Sequence, residues 1–260
     1  MFSPRGQTVC NLSRNLDPRY NLPMPEHSPL PPPEEKPVFV RNMFADAARR
    51  YDLMNRVMTF GQDQRWRRMV VEACGIPPGG RVLDVATGTA DIALEVLRRH
   101  PDASVIGTDF THEMMRIGQA KDPDGRIPFV EADALHLPFP DDSFDAACSG
   151  FLMRNVTDVA AAFAEQRRVV KPGGRVVCLE ITRPATPIWR DIFHLYFFKL
   201  VPRISAFFSS NKDAYTYLPH STLQFPRPPQ LAEIMRSVGL KHVTWRTMML
   251  GTMALHVGEV

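Results

Sequence analysis

The chain is predicted to fold as an α/β domain on a mostly parallel, seven-stranded sheet, for three reasons. From about residue 81, short β-rich runs alternate with helical stretches, the order that builds a parallel sheet. The first of these runs ends in a turn of small residues that opens a helix. Two further β-rich runs close the sequence with only Leu250 and Gly251 between them, a separation that permits only an antiparallel hairpin.

In order, residues 1–37 hold 9 of the 24 prolines, including Pro31-Pro32-Pro33, and are expected to be a disordered extension rather than a packed element. The domain proper is expected over 38–260, and its first part, 38–75, reads as a helical cover with a turn near Gly61. Strands are expected at 81–87, 104–110, 127–133, 144–150 and 175–181. Between them fall helices at 90–99, 111–120 and 158–170, placed on both faces of the sheet. The last opens at Asp158, a residue suited to an N-cap, and closes on Pro172-Gly173-Gly174. An aromatic-rich insertion at 187–225 precedes the final strands, 242–249 and 252–258.

Composition excludes several classes. A chain that is 44% hydrophobic can bury a substantial core, and a formal net charge of +3 is too small for a dedicated nucleic-acid surface. No uncharged apolar run reaches the roughly 18 to 20 residues that span a bilayer, and no compact apolar stretch of signal-peptide type opens the sequence. A cytoplasmic protein is therefore expected. Cys10, Cys74, Cys148 and Cys178 are far apart and without ligand-spaced histidines, so they read as reduced, buried hydrophobes, with no metal site.

The turn after the first strand, Asp84-Val85-Ala86-Thr87-Gly88-Thr89-Ala90-Asp91, brings a ligand close to the backbone at the carboxyl end of a strand, where open α/β sheets bind cofactors. It lacks the lysine of a phosphate-binding loop and the three glycines of a dinucleotide fingerprint. It resembles instead the acidic-x-Gly-x-Gly-x-Gly loop of class I, Rossmann-like S-adenosylmethionine-dependent methyltransferases. The second strand ends in Asp109, 25 residues after Asp84, and the third in Asp133-Ala134, 24 further on. A carboxylate at the end of the second strand can accept bonds from both ribose hydroxyls, and the next can reach the adenine.

Longer segments narrow this. Tyr51-Asp52-Leu53-Met54-Asn55, Thr59-Phe60-Gly61, Trp66-Arg67-Arg68, Arg154-Asn155-Val156, Lys171-Pro172-Gly173-Gly174 and Ala214-Tyr215-x-Tyr217-Leu218-Pro219 occur in an order and spacing that resemble the quinone-biosynthesis C-methyltransferases. The resemblance runs from about Val40 onward. It implies S-adenosyl-L-methionine as cofactor, held by Asp84, Gly88, Thr89, Asp109, Phe110, Asp133, Ala134 and Gly150. It implies C-methylation of a polyprenylated quinol, with demethylmenaquinol favoured over 2-polyprenyl-6-methoxy-1,4-benzoquinol. Three departures stand out: Ala90 and Leu152 where the family usually has glycine, and Ser210-Asn211 where Gly-Asp is usual. The last two leave open a catalytically silent subunit that binds cofactor or lipid.

Methyl transfer to a ring carbon requires that a quinol hydroxyl, with a pKa near 10, lose its proton. On the resemblance, Arg154 is expected to stabilise the phenolate, Asn155 to orient the ring and Tyr51 to fold over the site. His256 is expected to be structural. The insertion carries ten aromatics in 39 residues, interrupted by charges and prolines, and suits a channel for a polyprenyl tail that rests on the inner membrane surface. Core packing or a homodimer interface are the alternatives for it.

Overall fold

The computed structural model describes residues 30–196 and 212–260, excluding the side chains of 212–216. A helix α1 (Lys36–Met58) and a shorter α2 (Asp63–Cys74) precede the sheet, joined through a turn at 59–62 where Phe60 and Gly61 both take positive φ. The helix thus begins two residues ahead of the expected boundary at 38. The alternation follows: β1 (Arg81–Val85), α3 (Asp91–Arg99), β2 (Ser104–Asp109), α4 (His112–Lys121), β3 (Phe129–Glu131), β4 (Phe144–Gly150), α5 (Val159–Val169) and β5 (Val170–Ile181). Then come α6 (Pro187–Leu195), α7 (Lys212–Gln224), α8 (Pro228–Ser237), β6 (Lys241–Met248) and β7 (Met253–Glu259).

The seven strands lie in the order β3-β2-β1-β4-β5-β7-β6. The first five run parallel, and β7 is antiparallel to both β5 and β6, as the short Leu250-Gly251 link requires. Alternate strand residues face opposite ways. On β1, Leu83 and Val85 join a core with Phe163 of α5 and Leu231 and Met235 of α8. Val82 faces the other side, with Trp66, Val70 and Val71 of α2 and Val96 of α3. Helices therefore cover both faces.

Two boundaries differ from expectation for backbone reasons. The third strand begins only at Phe129, because Pro128 has no N–H to give a ladder, and it ends at Glu131, which leaves Asp133 in the following loop. Lys171-Pro172-Gly173-Gly174 follows the end of α5 at Val169 as expected, but lies within a strand that begins at Val170 rather than 175: Phe144 pairs with Val170 and Ala146 with Arg175, so these four residues bulge out of β5. Asp158 caps α5 as expected, its Oδ1 accepting from the Ala161 amide at 2.9 Å. Cys74, Cys148 and Cys178 are buried and free. The end of the expected disordered extension is ordered instead: the Pro32 carbonyl accepts from the Glu35 and Lys36 amides in a turn that leads into α1. Cys10, residues 1–29, Ser210-Asn211 and Phe197, Phe198, Phe207 and Phe208 lie outside the described residues.

Candidate functional site

The carboxyl ends of β1, β2 and β4 open onto a cavity of about 150 Å³, lined by Gly88, Asp109, Phe110, Asp133, Ala134 and Gly150. Six of the eight residues expected to hold the cofactor thus meet in one place. Asp109 is nearly buried; its Oδ2 accepts from the Gly88 amide at 2.8 Å and its Oδ1 from the Thr111 amide at 2.7 Å. Burial raises its pKa against these donors. Asp133 stays exposed and accepts from the Leu135 amide. The other two residues sit beneath the loop. Asp84 is fully buried and accepts from the Thr87 hydroxyl at 2.7 Å and the Ala93 amide at 3.1 Å, so it braces the turn from below. The Thr89 hydroxyl donates to Asp52 of α1 at 2.6 Å.

A second, larger cavity of about 450 Å³ lies beside the first, walled mainly by apolar side chains of α1, α2, α6 and the β6–β7 turn, among them Met54, Trp66, Trp189 and Leu250. Phe44, Tyr51, Phe151 and Asn155 line both cavities, so the two meet at these residues. Phe151 follows the last residue of β4 with a left-handed φ of 63°, and its carbonyl accepts from Asn155 Nδ2 at 2.9 Å and Arg154 Nη1 at 3.1 Å. Burial raises the Tyr51 pKa against a hydrogen bond with Asn55 and the charges of Arg154 and Arg67, which makes its hydroxyl a donor rather than a base.

Arg154, in the large cavity's wall, is not a free cation. It is ion-paired with Glu180 of β5, a carboxylate only 1% exposed that also accepts from the Arg154 amide at 3.2 Å. The pairing fixes the guanidinium and lowers the net charge it offers a ligand. His256 lies outside both cavities, with Nε2 3.0 Å from the Pro228 carbonyl oxygen.

The sequence profile described as the ubiE/COQ5 methyltransferase family matches residues 33–259. The chain belongs to the ubiE/COQ5 methyltransferase family. Among relatives in this family, a demethylmenaquinone methyltransferase from Roseiflexus castenholzii is 47% identical over 88% of this chain and 96% of its own. A ubiquinone/menaquinone biosynthesis C-methyltransferase from a Geobacter species (strain M21) is 43% identical over 86% and 97%. Solved structures match the fold at lower identity. A SAM-dependent methyltransferase from Thermotoga maritima superposes with a TM-score of 0.61 at 17% identity, covering 84% of this chain and 98% of its own. The cyclase SpnF does so with a TM-score of 0.58 at 19% identity, covering 75% and 80%. A methyltransferase and a cyclase sharing one architecture leave the chemistry to the site and the family.

The reading of this ubiE/COQ5 chain from its sequence missed Glu180, Phe151 and Asp52. Glu180 had a visible signal, an acid in the otherwise apolar run Val176-Val177-Cys178-Leu179. Phe151 had none, because its backbone angle is set by where β4 stops. Leu152, which stands where the family usually has glycine, packs in the core with Phe144 and Phe163 and lines only the smaller cavity.

Proposed function

We propose that this protein transfers a methyl group from S-adenosylmethionine to a ring carbon of a polyprenylated quinol, demethylmenaquinol in the first place. The observation that carries the reading is the meeting of two cavities of different character at Tyr51, Phe151 and Asn155. The residues of the smaller cavity suit the cofactor: the Asp109 carboxylate for ribose hydroxyls, Asp133 and Ala134 for adenine, and Gly88 for close approach of the backbone. The larger, mostly apolar cavity suits a naphthalenoid ring and the start of an isoprenoid tail.

When bound, S-adenosylmethionine supplies a sulfonium methyl group, an electrophile that needs no metal. The residues of this chain favour and place the nucleophile. Arg154, held by Glu180, presents a fixed guanidinium toward the ring oxygen and favours the phenolate over the phenol. Asn155 and Tyr51 orient the ring where the cavities join, and α1 with α6 keeps water from it. Transfer would leave the sulfonium as a neutral thioether, and the methylated ring carbon would give up its proton while the ring oxygen regains one, which restores the aromatic quinol. Contact with a membrane surface belongs to the same reading, because a polyprenylated substrate resides in lipid, and α6 exposes Ile188, Trp189, Ile192 and Leu195.

The test is methyl transfer from labelled S-adenosylmethionine to a short-tailed demethylmenaquinol and, in parallel, to the methoxybenzoquinol. Labelled menaquinol is expected. Preference for the benzoquinol would favour the ubiquinone-pathway activity named for the Geobacter relative, and cofactor binding without transfer would overturn the enzymatic reading. Arg154→Lys keeps a cation opposite Glu180, and is expected to lower kcat by about 10-fold or more while leaving S-adenosylmethionine affinity within twofold. Equal losses in both would remove the phenolate-stabilising role.

A further inference from the structure

The larger cavity contains a group that neither the cofactor nor Arg154 accounts for. Tyr217 lies on α7, inside the Ala214-Tyr215-x-Tyr217-Leu218-Pro219 segment that sequence comparison singled out without a role. Its residue is 1% exposed, its ring packs against Phe39 of α1 at 5.4 Å between centroids, and it lines the cavity. Its hydroxyl is buried and has no hydrogen-bond partner among the described residues. A buried hydroxyl left unpaired costs about 1–3 kcal/mol, so natural structures keep few of them.

Two further orphans share that wall: Arg154 Nε and Asn155 Oδ1 are likewise buried, unpartnered and part of the lining. Asp63 Oδ2, buried in the same lining, is held by the Arg67 guanidinium at 3.0 Å, so the three remaining polar atoms in a mostly apolar cavity describe a ligand with an apolar body and more than one polar atom. Burial, countered by the charge of Arg154 and reinforced by that of Glu180, pushes the Tyr217 hydroxyl up to about 12, so it stays protonated at physiological pH and can donate.

We infer that Tyr217 is a substrate-binding residue whose hydroxyl donates a hydrogen bond to one of the two ring oxygens of the quinol, so that the site selects for an oxygen at that position. This rests on the quinol reading above and adds a recognition element on α7, in the larger cavity and not in the lining of the smaller one. A donor held in an apolar wall discriminates strongly against a ring that lacks its acceptor, because the hydroxyl is then left unpaired.

The experiment is Tyr217→Phe, which removes the hydroxyl and keeps the ring against Phe39. With a short-tailed demethylmenaquinol, kcat/KM is expected to fall about 10- to 100-fold, the range for losing one hydrogen bond to a charged oxygen. S-adenosylmethionine affinity should be unchanged and the melting temperature equal or higher, because an orphan hydroxyl has been deleted. A merely structural tyrosine would give the opposite pattern, a lower melting temperature with kcat/KM retained. Two monohydroxy analogues, each lacking one ring oxygen, complete the test. The Tyr217→Phe penalty should persist on one and vanish on the other. A penalty absent from the quinol itself, or equal on both analogues, overturns the inference; wild-type protein that methylates no quinol overturns the functional reading instead.

Discussion

At Ala86, Gly88 and Ala90 the backbone takes φ values of 57°, 56° and 65°, three left-handed residues within one turn. These are the three glycine positions of the methyltransferase loop, so the motif is a requirement on backbone conformation, and this chain meets it twice with alanine at a strain cost of about 1–2 kcal/mol each. Sequence exposed the motif but not the position of Asp84 beneath it. That carboxyl is pushed up to about 7, first by burial and also by the charge of Asp109, against the bonds from Thr87 and Ala93. The native state therefore holds a proton that the unfolded chain releases near pH 4. Stability of the ligand-free protein should fall as pH rises from about 4 to about 7, with Asp84 supplying on the order of 4 kcal/mol of that fall. Urea midpoints across this window should decline in the wild type and much less in Asp84→Asn, the remainder coming from Asp109, whose pKa is raised likewise. Parallel curves for the two proteins would count against the raised pKa.

Among the elements, α1 was legible as a helix over the site, from its periodicity and the Tyr-Asp-x-x-Asn segment. What fastens it was not, because the fastening pairs residues far apart in sequence. At its start Lys36 Nζ donates to the Val156 carbonyl at 2.7 Å. Near its end Asp52 bonds Thr89 of the cofactor loop and Lys121 of α4, at 2.6 and 2.5 Å. Lys121 continues to Asp91 of α3 at 2.8 Å, and Asp91 to Arg67 of α2 at 2.8 Å. One chain of charges thereby joins four helices around the loop that meets the cofactor. Asp52→Ala should lower global stability by only about 1–2 kcal/mol, since these pairs are partly solvated, yet accelerate amide exchange across 36–58 well beyond that of the sheet. Uniform acceleration over the whole protein would mean that Asp52 is not a local latch.

For the whole molecule, the mostly parallel sheet, its antiparallel C-terminal hairpin and the helices on both faces were readable from the alternation of β-rich and helical runs and the short Leu250-Gly251 link, whereas the strand order and the distribution of exposed apolar surface were not. Phe60 (79% exposed) and Leu250 (60%), each at a turn tip with positive φ, line the larger cavity, and α6, which lines it through Trp189 and Ile192, exposes Ile188 (73%) and Leu195 (58%). Among the described residues no helix is long and apolar enough to cross a membrane; on the quinol reading proposed above, the exposed apolar side chains suit contact with a bilayer surface. Wild-type protein should float with vesicles of phosphatidylcholine and phosphatidylglycerol, and the Ile188→Glu, Leu195→Glu double variant should remain in solution. Because neither residue lines a cavity, turnover of a short-tailed soluble quinol should stay within twofold; retained flotation would discard the surface. The place of β7 in the sheet has a consequence for how the protein comes into being. Its partner β5 carries Glu180, the carboxylate that holds Arg154, and Arg175 of β5 pairs with Glu259. Until the ribosome has released β7, β5 is an open edge strand, able to recruit another nascent chain. The strand that bears Glu180 therefore gains its second neighbour only when β7 is made, and the interval between synthesis of β5 and β7 is when that edge is open to mispairing.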